Sequence, residues 1–299
     1  MPHPLGGGCG FAWYNNFMAA FVFLFLFGLA VGSFLNVLAL RYDGRWHVGG
    51  RSRCPHCKHT LRWFELVPLI SFVIQRGRCR NCGAKIGFHY PLVELISAAI
   101  FVFIPLHFVV YPWLVPAGWY SISGLWIFAF EILLLIAYVD FRLQIVPDEL
   151  VVLLGAIALF ETIFAGAYLG PEQQSFFGAG AMFFGAYLYG NVWFGHLVGA
   201  LFGAALFGLL VLGTRGRGMG IGDVKLSVPL GFLFGWPDIL FLSAFAFVLG
   251  GFIGAVLLLG KQKTMKSAVP FVPFLAAGAV FVLFFGAAAF QWYFRIIGL

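Results

Sequence analysis

Long apolar stretches follow one another along this chain and limit its possible folds more than any other sequence feature. A bilayer-crossing helix needs about 20 mainly apolar residues. Only 10% of the 299 residues are Asp, Glu, Lys or Arg, against about 25% in soluble domains. We therefore predict an all-α polytopic membrane protein, and we exclude a soluble globular enzyme, a disordered chain and a collagen-like fibre. The predicted spans are residues 14–40, 90–111, 121–141, 149–169, 193–213, 223–236, 237–260 and 268–291.

Basic residues are concentrated in the hydrophilic stretch 41–89. This stretch has ten Lys or Arg residues and two acids, a net charge of +8, whereas the rest of the chain nets −1. Eight spans place it on the same side as the shorter basic loops, and the positive-inside rule makes that side cytoplasmic. We expect the stretch to lie at an anionic membrane face and not to bind nucleic acid. The segment 170–192 is predicted to be a loop followed by an interfacial or re-entrant helix.

Two Cys-x2-Cys pairs lie within the basic stretch. They are Cys54 with Cys57 and Cys79 with Cys82, separated by 21 residues. Two such turns can supply four thiolates to a tetrahedral zinc ion, and a loop of this length has no apolar core to fold it otherwise. The spacing predicts a small structural zinc-ribbon-like domain between the first two spans. Four reduced thiols, or a redox pair, remain the alternatives.

Two aspartates lie at the rims of predicted spans, where an ionisable side chain is costly and commonly functional. Asp140 ends the third span, Asp223 opens the sixth, and the charge map places both near the cytoplasmic surface. Carboxyl groups meeting there from different helices would suit aspartyl hydrolysis, in which one takes a proton from water and the other donates to the substrate carbonyl. Gly220 and Gly222 permit tight turns and the close approach of a substrate strand.

The alternative is that Asp140 and Asp223 are interfacial acids neutralised by Arg142 and Lys225. If they form a dyad instead, helix dipoles predict their roles. Asp140 lies at a helix C-terminus, whereas Asp223 lies at a helix N-terminus with Lys225 nearby. This predicts that the shared proton resides mainly on Asp140 and that Asp223 is the base.

Two further acids are expected to support the site structurally. Asp148 follows Pro147 and precedes the fourth span, so it is expected to be an N-cap. Glu94 follows Pro91 and is expected in the first helical turn, where the dipole favours an acid. The predicted supporting residues are Gly220, Gly222, Lys225, Asp148 and Glu94.

The motifs, in their order along the chain, resemble those of the type IV prepilin peptidases. These are bacterial inner-membrane leader peptidases that also methylate the new amino terminus, and their second aspartate motif, GxGD, is shared with presenilin-like proteases. The resemblance rests on Gly32-Ser-Phe-Leu-Asn-Val37 with Arg41, the cysteines from Cys54 to Cys82, Tyr90-Pro-Leu-Val-Glu94, Asp140 with Val146-Pro147-Asp148, Gly220-Ile-Gly222-Asp223-Val-Lys225, and Pro270-Phe-Val-Pro273.

The resemblance implies that Asp140 and Asp223 are the catalytic pair. It also implies prepilin or type II secretion pseudopilin substrates, which have a short basic leader ending in Gly and then an apolar helix. Cleavage after that Gly on the cytoplasmic face would be followed by methyl transfer from S-adenosylmethionine. No motif assigns residues to the methyl donor, and the candidate region is the zinc loop. The implied domains are the first helix 14–40, the zinc-binding loop domain 41–89 and the protease domain 90–299.

Besides the insertion 170–192, which matches no motif of the family, two departures from the family pattern are visible in the sequence. Phe141 and Arg142 follow the first aspartate where a second acid is common, and Val272 replaces a common glycine. Neither is expected to contact the dyad, although Arg142 could alter its electrostatics.

A zinc-regulated transporter or channel is the main alternative function. It would need ionisable groups deep in broken helices, and only Glu131, Glu161 and His196 favour it. A non-enzymatic scaffold with a zinc docking module is the other alternative.

Overall fold

The protein is described from a computed structural model, which covers residues 9–46, 49–109, 116–168, 192–216, 218–260 and 269–297. The chain divides into two compact units, Met1–Ile127 and Phe128–Leu299. All the regular elements of the described part are helical. The three-domain division 14–40, 41–89 and 90–299 remains a prediction.

The first unit is built on two long helices, α1 (Cys9–Arg41) and α3 (His89–Val109), which pack against each other. A 3-10 turn (Trp63–Glu65) and the short helix α2 (Ile70–Ile74) lie between them in the chain. A Cβ atom at Gly32 would be 2.7 Å from the Glu94 Cα, so only glycine permits this approach of α1 to α3. The Asn36 side-chain amide donates to the Tyr90 carbonyl oxygen at 3.0 Å.

The second unit contains the C-terminal part of α4 (Pro116–Leu143) and five further helices. These are α5 (Asp148–Tyr168), α6 (Val192–Thr214), α7 (Ile221–Phe234), α8 (Asp238–Leu259) and α9 (Val272–Ile297). Helix α7 packs against α6 and α5, and α8 packs against α9. A Cβ atom at Gly199 on α6 would be 2.6 Å from the Gly231 carbonyl oxygen on α7, so glycine allows these two backbones to touch.

The predicted fold class is confirmed, because the described residues contain a helix at the position of each of the eight predicted spans. In the described residues, five helices are long and apolar enough to cross a membrane: Met18–Arg41, His89–Phe108, Tyr120–Leu143, Trp193–Thr214 and Asp238–Leu259. Helix α7 is as short as predicted, since it ends at Phe234 before Trp236 and Pro237. The segment 170–192, predicted to be a loop and interfacial helix, lies outside the described residues apart from Val192.

Candidate active site and metal centre

The two cysteine pairs form two equivalent turns. In the first, the Lys58 N–H donates to the Cys54 carbonyl oxygen at 3.0 Å, and the Cys54 N–H donates to the His59 carbonyl oxygen at 2.9 Å. The second turn repeats both bonds 25 residues later, with Gly83 N–H to Cys79 O at 2.9 Å and Cys79 N–H to Ala84 O at 2.9 Å. Lys58 and Gly83, which occupy the same place in the two turns, both have positive φ angles, 58° and 69°.

The turns bring the four sulfur atoms together. The Sγ atoms of Cys54, Cys57, Cys79 and Cys82 all lie within 4.8 Å of one another, and none is in a disulfide. Tetrahedral zinc with Zn–S bonds of about 2.3 Å requires sulfur atoms roughly 4 Å apart. The donor set and its spacing therefore fit a structural zinc ion. In the described residues, no other group of His, Cys, Asp or Glu side chains is arranged to hold a metal ion.

Hydrogen bonds to sulfur favour the thiolate form that a metal needs at Cys57 and Cys79. At Cys82 the Ala84 backbone N–H acts in the same direction, but desolvation and hydrogen bonds with the other three sulfur atoms outweigh it and raise the pKa to about 11. The His59 backbone N–H and then the Asn81 side chain lower the pKa of Cys57 to about 6. The backbone N–H groups of Cys82 and Asn81 lower the pKa of Cys79. The backbone donors lie two or three residues beyond the cysteine that they bind, whereas the Asn81 side chain reaches Cys57 from the other turn.

Asp140 lies three residues before the end of α4 and is buried. Its Oδ2 atom accepts a hydrogen bond from the Val272 backbone N–H at 3.2 Å. Val272 is the first residue of α9, and the first N–H groups of a helix have no partner within that helix. The carboxyl group of Asp140 therefore satisfies an orphan donor at the start of another helix.

The expectation that Val272 does not contact the dyad is therefore wrong. The expectation concerned the side chain of Val272, whereas the contact is made by its backbone. The proline motif around it could have drawn attention to this position, because Pro270 and Pro273 restrict the backbone on both sides.

Asp223 is the third residue of α7 and is also buried. Its Oδ2 atom accepts a hydrogen bond from the Gly220 N–H at 3.2 Å, directly before the helix. A Cβ atom at Gly222 would be 2.7 Å from the Val146 side chain, so this glycine lets the segment before α5 reach the start of α7. The two glycines thus have distinct roles: Gly220 holds the carboxylate, and Gly222 allows close packing.

The structure brings the carboxyl groups of Asp140 and Asp223 close enough to interact electrostatically. In the described part of the chain, neither has a protein hydrogen bond beyond the backbone N–H just given. Within these described residues, the second oxygen of each carboxyl group accepts no protein hydrogen bond. Two acids within electrostatic range of each other repel when both are ionised.

Lys225 does not neutralise this pair. Its ammonium group binds both carboxylate oxygens of Asp148, at 2.8 and 2.9 Å. Asp148 is the first helical residue of α5 and not the residue before the helix, so the expectation that it is an N-cap is wrong. The ion pair joins the starts of α5 and α7. The part of the alternative in which Lys225 neutralises the aspartates is therefore wrong, because its ammonium group is paired with Asp148.

Glu94 belongs to the first unit and is buried. It is the sixth residue of α3, so the expectation that it lies in the first helical turn is wrong, because the helix begins at His89 before Pro91. Its Oε2 atom accepts a hydrogen bond from the Leu69 N–H at 2.8 Å. Glu94 therefore anchors the start of α2 to α3.

The residues that favoured a transporter are part of the helix packing. Glu131 and Glu161 are buried in α4 and α5. The His196 Nδ1 atom hydrogen-bonds the Phe232 carbonyl oxygen, which joins α6 to α7. His196 is thus a packing residue between two helices.

Comparisons with known proteins identify two matching family models. The Bacterial Peptidase A24 N-terminal domain matches residues 26–108, and the Type IV leader peptidase family matches residues 126–255. Three relatives carry the name prepilin leader peptidase/N-methyltransferase. The Bacillus subtilis (strain 168) protein is 28% identical and the match covers 91% of this chain and 97% of the relative. Those of Aeromonas hydrophila and Pseudomonas aeruginosa are each 30% identical, over 91% of this chain and 93% of each relative. No solved structure matches the chain.

Proposed function

The chain belongs to the type IV leader peptidase family, and we propose that it cleaves prepilin leaders with a dyad formed by Asp140 and Asp223. The observation that carries this proposal is that two buried carboxyl groups, each held by one backbone N–H, lie near enough for the charge of Asp140 to act on Asp223. The family match and the relatives' names give no support to the zinc-regulated transporter. After cleavage, the protein methylates the new amino terminus with S-adenosylmethionine.

In the proposed reaction, a water molecule binds between the two carboxyl groups. The ionised aspartate takes a proton from this water as it attacks the scissile carbonyl carbon. The protonated aspartate donates a hydrogen bond to the carbonyl oxygen as negative charge develops there. The backbone N–H groups of Val272 and Gly220 fix one oxygen of each carboxyl group, so that the remaining oxygens are oriented before the substrate binds.

The assignment of the shared proton to Asp140 stays a prediction. It depended on Asp140 lying at the C-terminal end of α4, where the dipole disfavours negative charge. The N-terminus of α9 donates to the same carboxyl group and acts in the opposite direction. We therefore treat the dyad as one unit that holds one proton.

We propose that the four cysteines bind zinc and that the zinc is structural. Four thiolates fill a tetrahedral shell, and a catalytic ion would need an open position. Zinc bound there would cross-link the two turns and so stabilise the loop domain 41–89. This loop is also our candidate region for methyl transfer.

We propose that the loop domain and the aspartates face the cytoplasm of a bacterial inner membrane. The excess of Lys and Arg in residues 41–89 supports this orientation. The substrate is a prepilin or type II secretion pseudopilin, whose apolar helix lies among the lipids while its leader extends to the dyad. Burial of that helix supplies affinity without sequence specificity.

Prepilin cleavage by the purified protein tests the dyad. Asp140→Asn and Asp223→Asn each keep the side-chain shape but remove the ionisable group, and each should lower kcat by at least about 10³-fold. Asp148→Asn is the matched control, because Asp148 is an exposed acid at a helix start of the same unit. Its activity should remain within a few-fold of wild type. Full cleavage by either of the first two variants would refute the proposed dyad.

A further inference from the structure

Helix α2 presents a strongly exposed apolar face within an otherwise basic loop. Ile70, Val73 and Ile74 lie at helical spacing on one face and are 58%, 71% and 63% exposed. The opposite side carries Phe72, whose ring packs edge-on against Phe88 at a centroid distance of 6.3 Å. We call the surface formed by Ile70, Val73 and Ile74 the α2 outer face.

Two contacts fix the level of α2 along the membrane-spanning helix α3. The Leu69 N–H, directly before α2, donates to Glu94, and Phe72 packs on Phe88, directly before α3. Glu94 lies five residues after the start of α3, roughly 7 Å along its axis. Helix α2 therefore lies beside the first turns of a membrane-spanning helix and not far out in solution. Leu92 and Leu95 of α3 are exposed at the same level.

The surroundings of the α2 outer face are basic. Between residues 61 and 90 the only acid is Glu65, which accepts the Arg62 N–H at 2.8 Å. Trp63, 79% exposed, adds an aromatic side chain of the type that is enriched at membrane interfaces. The exposed cations of this segment are Arg62, Arg76, Arg78, Arg80 and Lys85.

We propose that the α2 outer face inserts into the interface of the bilayer that α1 and α3 span, with the surrounding cations on anionic lipid phosphates. Apolar side chains at this depth and cations just beyond them are the arrangement of an interfacial helix. A basic prepilin leader is disfavoured as the occupant, because its charge has the same sign as that of the segment. This inference is independent of the proposed catalytic roles of the aspartates.

Photocrosslinking in a bilayer tests the insertion. The full chain is reconstituted in vesicles of phosphatidylethanolamine and phosphatidylglycerol, with benzoylphenylalanine in place of Val73, Ile74 or Phe72. Mass spectrometry after irradiation should find at least about tenfold more lipid adduct from positions 73 and 74 than from 72, the control on the inner side of the same helix. Equal yields at the three positions, or adducts with an added prepilin in place of lipid, would overturn the proposal.

A conservative variant gives a second measurement. Trp63→Phe keeps an aromatic ring, and the difference between its fluorescence and that of the wild type isolates Trp63. Brominated phosphatidylglycerol should quench this difference signal at least twofold, and brominated phosphatidylcholine vesicles should quench it less. An unquenched, water-exposed Trp63 signal in both vesicles would contradict the proposed insertion.

Discussion

Replacing glycines of α6 with alanine should disturb the dyad, although α6 carries neither aspartate, and the effect should depend on how closely each glycine approaches α7. Helix α6 contacts α7, and α7 carries Asp223 in its first turn. A new Cβ atom would lie 2.6 Å from the Gly231 carbonyl oxygen at Gly199, and 2.8 Å from the Ser227 carbonyl oxygen at Gly203. A Cβ atom at Gly208, on the same helix, would meet no atom within 4 Å.

The size of each effect follows from these overlaps. Ordinary van der Waals contact begins near 3.4 Å, so α6 and α7 must separate by about 0.6 Å for Gly203→Ala and about 0.8 Å for Gly199→Ala. Overpacking of this kind costs about 1–3 kcal/mol of stability. Ser227 lies one helical turn after Asp223, so a rigid shift of α7 also moves the carboxyl group. Because a 1 Å misplacement can cost about 10²-fold in rate, we expect kcat to fall roughly tenfold for Gly203→Ala and further for Gly199→Ala.

Thermal unfolding in detergent and prepilin cleavage, measured on the same preparations, give the test. The melting temperature and kcat should both decrease in the order Gly208→Ala, Gly203→Ala, Gly199→Ala. Gly208→Ala should match or exceed the wild type in stability, because alanine is the better helix former by up to about 1 kcal/mol. Wild-type stability and rate for Gly199→Ala, or equal damage from Gly208→Ala, would refute the close packing on which the reasoning depends.

Three further predictions concern single contacts. Val272→Pro removes the N–H that holds Asp140, at a helix start where proline is tolerated, so kcat should fall about 10- to 100-fold. The kcat of Val272→Ala, which keeps the N–H, should stay within a few-fold of wild type, and equal rates for the two variants would contradict a role for that N–H. A double-mutant cycle of Lys225→Met and Asp148→Asn, measured on the free energy of unfolding, should give a coupling energy of about 0.2–1 kcal/mol, because the two side chains are 48% and 67% exposed. A coupling energy above about 2 kcal/mol would contradict this exposed ion pair. Elemental analysis of the purified protein should find zinc in the wild type and in His56→Ala, but none in Cys79→Ser. Loss of zinc in both variants would add histidine to the ligand set.

The sequence predicted the elements of this protein better than its contacts. Span positions follow from hydrophobic length, and the cysteine cluster follows from two short, regularly spaced turns. Lys225 was expected to favour the charge of Asp223 because the two residues are close in sequence, whereas the structure pairs it with Asp148. The Val272 contact was missed for a related reason, because the type of a residue does not show which group its backbone N–H contacts.

The carboxyl groups of both candidate catalytic acids lie at helix N-termini, although Asp140 itself belongs to the last turn of α4. Asp223 is in the first turn of α7, and Asp140 accepts the first N–H of α9 from 132 residues away in the chain. Helix starts supply unpaired N–H groups and a favourable dipole, which offset part of the cost of a buried carboxylate. Because these donors are backbone groups, the site depends on the path of the chain and not on the side chain at the donor position. Valine can therefore donate at 272 as a glycine would, provided that α9 begins at that residue.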